Sequence, residues 1–261
     1  MVERALRAEA QLAGTEVLVY GRDTGHIDDA GELSGPAVAR VLHRLRPELA
    51  LPEREETSRA MPSRRPLCEG CPYVPAFEAL LGVIGEHGGR EDAIVVGDPG
   101  CMVRAQLPPY ELLDVKYSLG SSIGTAAGLA LGQRLRPRGG KHVIALCGDS
   151  SLLHSGLNGL VDAARFGVSM LAVVLDNGTT ALSGGQPHPG SGTDLRGVQV
   201  PAVDLAALAR AAGAPSVQAV GSRDKEQLQQ AFARGMDREG LTVVIAQGSC
   251  PQYATEGEPS R

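Results

Sequence analysis

Two oxygen-bearing side chains raise the first chemical question. Asp149 stands in Gly148-Asp149-Ser150 and Asn177 in Asp176-Asn177-Gly178-Thr179, each closing an apolar, β-branched run. A carboxylate and an amide oxygen at neighbouring strand ends can share one hard cation, and Mg²⁺ takes one or two such protein groups together with substrate phosphates. Ser150 and Ser151 then open a helix whose backbone N–H groups can receive a diphosphate. The plainer reading of either residue alone is an N-cap at Asp149 and a turn at Asn177.

The cysteines form a second set. Cys68-x-x-Cys71, Cys101 and Cys250 place four thiols at one loop and two strand ends, and Cys71 and Cys250 each precede a proline. In a cytoplasmic chain such a set binds metal more often than it forms disulfides. Zn²⁺ and a [4Fe–4S] cluster both accept four cysteines, so spacing leaves both open, beside a third reading of four unrelated buried thiols. Cys147 reads as a small strand residue. His154 and His188 lie in the same loops as Asp149 and Asn177 and suit a general acid or base, or a contact to a substrate carboxylate. His154 also fits simple capping or packing.

One competing motif is present. Gly120-Ser-Ser-Ile-Gly124 fits a Gly-x-Ser-x-Gly nucleophile elbow, with Ser122 as nucleophile and Asp149 or Asp176 and His188 completing the order Ser, Asp, His. It leaves the cysteines and the 176–190 loop without a role. No Gly-x-Gly-x-x-Gly fingerprint for a dinucleotide occurs.

The elements that must position these residues alternate. Apolar runs at 93–97, 142–147, 170–175, 217–220 and 241–246 predict strands, and helical patterns cover 75–87, 121–135, 151–166, 203–212 and 224–237. Strands apolar throughout, alternating with helices, predict an α/β doubly wound, mainly parallel sheet with helices on both faces. In such a sheet ligands bind beyond the carboxyl ends of the strands, so the loops 97–101, 148–151, 176–192 and 248–251 are the informative ones. Upstream, 33–45 predicts a helix with Ser34 as N-cap. Ten charged residues and four prolines between Arg44 and Pro66 read as a linker. The expected organisation is an N-terminal docking segment and linker over 1–66, an α/β domain over 67–255, and a tail over 256–261.

Composition excludes other classes. A net charge of −5, with no Lys/Arg run, argues against a nucleic-acid binder, and five Tyr, three Phe and no Trp leave little for base stacking. The apolar run 170–175 falls far short of the ~20 residues a membrane span needs. No signal-peptide core opens the chain, so a cytoplasmic protein is expected. Glycine, 34 of 261 residues, is about twice its usual share and serves turns or backbone lying against a ligand.

Taken together, the motifs resemble a known family. The Asp149/Asn177 pair is similar to the magnesium–diphosphate motif of thiamine-diphosphate enzymes, with Ser150 in place of its third glycine and Asp176 in place of its first asparagine. Cys68-Glu-Gly-Cys-Pro72, Gly97-Asp-Pro-Gly-Cys101, Ser118-Leu-Gly-Ser-Ser-Ile-Gly124, the stretch 148–156 and the long block 175–190 occur in one order. Over about 67–252 they resemble the thiamine-diphosphate-binding domain of 2-oxoacid:ferredoxin oxidoreductases, most of all the large subunit of the indolepyruvate enzymes.

The resemblance implies roles. Asp149, Asn177 and the backbone carbonyl of Thr179 would ligate Mg²⁺, and Gly148, Ser150 and Ser151 would hold the diphosphate. Gly184, Gly185 and Gln186 would shape the cofactor loop, while Gly120, Ser121 and Ser122 would let backbone approach the thiazolium ring. Cys68, Cys71, Cys101 and Cys250 would hold a [4Fe–4S] cluster. The implied reaction is coenzyme A-dependent oxidative decarboxylation of a 2-oxoacid, an aryl-2-oxoacid such as indolepyruvate, with the cofactor ring as electron sink. A ferredoxin or similar acceptor would take the electrons. A pyrimidine-binding domain and a ferredoxin-like domain, which the family requires, are expected on partner subunits. The alternatives are a non-redox thiamine-diphosphate decarboxylase subunit with a structural zinc, or a scaffold that keeps only the fold. The joint presence of Asp149, Asn177 and four cysteines weighs against a scaffold.

Overall fold

The computed structural model describes residues 2–27, 35–48, 67–135 and 140–253. Most of the expected linker, the expected tail and the Ser34 cap lie outside the described residues. The chain divides into two compact units, Met1–Ser63 and Arg64–Arg261.

In the first unit, α1 (Val2–Leu12) and α2 (Gly35–Leu45) are amphipathic helices. α1 falls on a stretch whose polarity hides its helical period from a reading by composition. Glu3 on α1 accepts the backbone N–H groups of Arg22 at 2.7 Å and Asp23 at 3.1 Å, which ties the following turn to the helix. The apolar run 16–20 forms no strand.

The second unit is a six-stranded, all-parallel sheet in the order β2-β1-β3-β4-β6-β5. Its strands are β1 (Ala93–Gly97), β2 (Val115–Lys116), β3 (His142–Gly148), β4 (Met170–Asp176), β5 (Ser216–Gly221) and β6 (Leu241–Gln247). Five answer the five predicted runs. β2, of two residues, is too short to leave a periodic signal.

The helices are α3 (Tyr73–Glu86), α4 (Ser122–Gln133), α5 (Asp149–Ser151), α6 (Leu157–Arg165), α7 (Leu205–Ala211) and α8 (Lys225–Asp237). They cover the sheet in two layers. α3 and α8 pack on one face with Val95, Ile144, Leu146, Leu171, Val173 and Val244. α4, α6 and α7 pack on the other with Val143, Ala145, Cys147, Ala172, Val174 and Ile245. Successive residues of β3 and β4 point to opposite faces and all of β4 is buried, which is why these strands read as unbroken apolar runs.

The predicted single helix over 151–166 is instead α5, a π turn at Leu152–Gly156, and α6. Such one-turn π bulges recur at functional sites. Here the turn lets Ser155 Oγ donate to the Leu119 carbonyl at 2.7 Å, joining this segment to the entry of α4.

Topology locates the crevice. From β1 the chain runs outward to β2, whereas from β3 it runs the other way to β4, so the direction of winding reverses between the adjacent strands β1 and β3. Ligands of open α/β sheets bind beyond the strand ends at such a reversal.

Candidate functional site

Strand register brings the sequence motifs together. Gly148 pairs with Leu175, Gly97 with Leu146, and Asp176 with Gln247, so the loops after β1, β3, β4 and β6 leave the sheet at one edge. A cleft of about 210 Å³ opens there, between the loop after β1 and the loops after β3 and β4. Asp149, Ser150, Ser151, Asn177 and Thr179 line it, with Tyr73, Cys101 and Met102 on the facing wall.

Asp149 is 1% exposed. Its Oδ1 accepts the Ser150 N–H at 2.7 Å, and its Oδ2 accepts the N–H groups of Asn177 at 3.1 Å and Gly178 at 2.7 Å. The carboxylate thus binds the β4 loop to β3, as well as opening α5. Asn177, also buried, turns its Oδ1 onto the Thr179 N–H at 3.1 Å. The carboxylate and the amide oxygen are hard donors of the kind that suits Mg²⁺. Among the described residues, no three His, Cys, Asp or Glu side chains gather around one point to hold a metal.

Gly120 is held by its surroundings. Its φ of +78° lies in the left-handed region, and a Cβ there would meet Ser155 Oγ and would lie 2.8 Å from both the Gly156 nitrogen and the Ser151 carbonyl. Ser121 Oγ donates to the Ser118 carbonyl at 2.7 Å. Ser122 is fully buried, its N–H donating to Asp98 Oδ1 at 2.9 Å and its hydroxyl to Asp98 Oδ2 at 3.0 Å. This removes the hydrolase alternative, because an elbow serine must present Oγ to substrate and to a histidine. Ser122 is not among the residues that line the cleft.

Asp98 is the residue the sequence reading left without a role. It is fully buried at the β1 end, and burial pushes its carboxyl above the usual range, against the lowering hydrogen bonds from Ser122, Cys147 and Gly120. One side chain therefore joins β1, the entry of α4 and the last turn of β3. The signal that could have found it is a lone acid directly after an all-apolar strand.

Gly184 and Gly185 turn the loop after β4 back on itself, with the Thr180 N–H donating to the Gln186 carbonyl at 3.0 Å. Gln186 folds onto Ser183 and not into the cleft: its Nε2 donates to the Ser183 carbonyl at 2.6 Å, and its Oε1 accepts the Ser183 hydroxyl at 2.8 Å. Gly185 borders a second cleft, of about 280 Å³, with Asn177, Cys250 and Tyr253. The two histidines part company. His154 is exposed on the π turn, its Nδ1 3.2 Å from Ser155 Oγ, whereas His188 is half-buried with a largely covered side chain, its Nε2 3.2 Å from Asp149 Oδ2.

The four cysteines lie close enough for their charges to be felt at one another, but no three of them converge on one point as metal ligands do. Burial raises the Cys71 thiol to about 11, and repulsion from Cys101, Cys68 and Cys250 adds to it. Burial also raises Cys101, with Arg104 opposing and Cys250 and Cys68 reinforcing the rise. Cys68 Sγ faces Gln252 Oε1 at 4.0 Å, and Pro72 packs so closely on Gly248 that a Cβ there would lie 2.7 Å away. Cys147 is buried under the sheet at a distance from this set's loops, and its thiol is pushed well above its ordinary value by burial and Asp98.

Fold and strand-end cleft define an open parallel-sheet α/β domain of the ligand-binding kind. Residues 98–246 match the family described as thiamine pyrophosphate enzyme, C-terminal TPP binding domain, and the chain belongs to that family. The indolepyruvate oxidoreductase subunit IorA of Methanothermobacter marburgensis is 31% identical over 100% of this chain and 42% of its own length. The chain thus spans well under half of that relative. The 2-oxoglutarate synthase subunit KorB of Methanocaldococcus jannaschii is 27% identical over 71% of this chain and 69% of its own. A solved 2-oxoglutarate:ferredoxin oxidoreductase from Magnetococcus marinus, with 2-oxoglutarate, coenzyme A and succinyl-CoA bound, shares the fold. It has a TM-score of 0.63 and 23% identity, over 72% of this chain and 65% of that one. No helix among the described residues is long and apolar enough to cross a membrane.

Proposed function

We propose that this chain is the diphosphate-binding subunit of a cytoplasmic, multi-subunit 2-oxoacid:ferredoxin oxidoreductase acting on an aryl-2-oxoacid such as indolepyruvate. The observation that carries the reading is one cleft wall pairing. Asp149 and Asn177, oxygen donors suited to Mg²⁺, share one cleft with Cys101, whose thiol burial raises. Hard donors beside soft ones in a single crevice suit a site that handles a diphosphate and passes electrons on.

In this reading Asp149, Asn177 and the Thr179 carbonyl hold Mg²⁺, while Ser150 and Ser151 meet the diphosphate at the opening of α5. When bound, thiamine diphosphate supplies the nucleophile for the keto carbon and the electron sink for loss of carbon dioxide. Gly120, fixed by Asp98 and the π turn, would leave room for backbone rather than a side chain to approach the thiazolium ring. Cys68, Cys71, Cys101 and Cys250 would have to draw together from where they stand to hold a [4Fe–4S] cluster, which would supply a one-electron acceptor beside the cleft. Coenzyme A takes the acyl group. Partner subunits of the assembly supply the pyrimidine-binding and ferredoxin-like domains.

The test is metal content joined to cofactor binding. Anaerobically purified chain should contain about four iron and four acid-labile sulfide. It should bind thiamine diphosphate weakly and only with Mg²⁺, and show no turnover without partners. Zinc in place of iron, or full turnover by the isolated chain, overturns the reading.

A further inference from the structure

His188 lies in the loop after β4 with its side chain only 7% exposed. Its Nδ1 accepts the Gly190 N–H at 3.1 Å, a contact only a ring lone pair can make, so the ring proton sits on Nε2. That Nε2 is buried, makes no well-aligned hydrogen bond among the described residues, and stands 3.2 Å from Asp149 Oδ2. A buried donor without a good partner is costly unless the occupied site completes its bond.

The carboxylate it faces is lopsided. Oδ2 accepts the N–H groups of Asn177 and Gly178 and lies 3.2 Å from His188 Nε2, whereas among the described residues Oδ1 accepts only the N–H of Ser150, its own chain neighbour. Carboxylates that bind a cation through one oxygen are oriented by donors on the other. We infer that His188 is a positioning residue. From 3.2 Å its Nε2–H is placed to close onto Oδ2 as the site fills, which would hold the rotation of the Asp149 carboxylate toward the cation and link the 184–190 loop to that ligand. Proton transfer to substrate is not its task, because one ring nitrogen is turned to backbone and the other to Asp149. This inference rests on the Mg²⁺–thiamine diphosphate reading of the cleft.

Calorimetric titration of the full chain with thiamine diphosphate, across a MgCl₂ series, tests it. His188→Leu should raise the Mg²⁺ concentration for half-saturation by about 10- to 100-fold, the usual cost of losing an outer-shell partner. His188→Gln, whose amide nitrogen reaches the Nε2 position, should stay within about 3-fold of wild type, while the shorter His188→Asn should behave like Leu. The Gln and Asn pair decides the matter even if the Leu variant fails to fold. In ¹⁵N-histidine spectra of the wild-type chain, His188 should show the Nε2–H tautomer. Wild-type Mg²⁺ dependence in both Leu and Asn, a Gln variant as impaired as Asn, or an Nδ1–H tautomer would each overturn the assignment. If wild type shows no Mg²⁺-dependent binding at all, the cofactor reading itself falls.

Discussion

The backbone N–H of Cys250 donates to the carbonyl of Asn177 at 3.2 Å. One hydrogen bond therefore couples the loop that carries the fourth thiol, after β6, to the loop that carries a proposed Mg²⁺ ligand, after β4. The neighbouring Gly248 N–H repeats the link by donating to the Asp176 carbonyl at 2.9 Å. Because Cys101 lines the same cleft as Asp149, the hard and soft donor sets are mechanically joined, and changes in one should be felt in the other.

The sharpest test of the hard set is Asp149→Asn. The amide keeps the carboxylate's shape but loses its charge and turns a donor toward the N–H groups of Asn177, Gly178 or Ser150. Mg²⁺-dependent thiamine diphosphate binding should fall by more than about 100-fold, beyond the 10–100-fold typical of outer-shell partners. Calorimetry at fixed Mg²⁺ measures this. An affinity within a few-fold of wild type would remove Asp149 from the ligand set.

The soft set has a pH signature. The Cys71 thiol titrates near 11 in the folded chain against an ordinary 9.0. Burial also raises Cys101, Tyr73 and Cys147. A group raised by folding contributes stability that is complete below its unfolded pKa and is lost as pH climbs through its folded one. The metal-free chain should therefore lose thermal stability between about pH 9 and pH 11, and Cys71→Ala should flatten that loss. Metal binding expels the thiol protons beforehand, so a metal-loaded chain should show a shallower decline over the same window.

Asp98 makes a stability prediction free of cofactor. Asp98→Ala strands the N–H and hydroxyl of fully buried Ser122, each costing about 1–3 kcal/mol when left unpaired. A loss of about 3 kcal/mol in urea unfolding is expected. Ser122→Ala removes one hydroxyl along with its need for a partner and should cost about 1 kcal/mol. Equal effects of the two substitutions would show that Asp98 is not the hub joining β1, α4 and β3.

Much of the site was legible in the sequence because it sits where strands end. The all-buried runs of β1, β3, β4 and β6 mark those ends sharply, so Asp149, Asn177 and the cysteine loops could be placed at one edge before any coordinates. What stayed hidden depends on tertiary pairing. The role of Asp98 appears only once β1 lies beside β3 and the mouth of α4. The roles of the two histidines separate only when the loop after β4 folds back and buries His188 against Asp149, leaving His154 in solvent on a π turn that no apolar spacing announces. The helix α1 was masked for another reason: its period is carried by few apolar residues in a strongly polar stretch.

The close packing of α4 on α6 gives an asymmetric prediction. A Cβ added at Gly159 on α6 would lie 2.6 Å from the Gly124 nitrogen and 3.0 Å from its Cα, both backbone atoms of α4 that cannot swing aside. Gly159→Ala should therefore push the helices apart, at about 1–3 kcal/mol as for other overpacked sites. A Cβ at Gly124 meets only Gly159 Cα, at 3.8 Å, an ordinary contact. Gly124→Ala should be neutral, or more stable by up to about 1 kcal/mol through helix propensity. Since α4 begins at Ser122, beside Gly120 and Asp98, its displacement in the Gly159 variant should also weaken thiamine diphosphate binding, and the Gly124 variant should bind normally. Urea unfolding with parallel calorimetry reads both effects. Equal destabilisation by the two substitutions would mean that α4 and α6 are not in this close glycine-to-glycine contact.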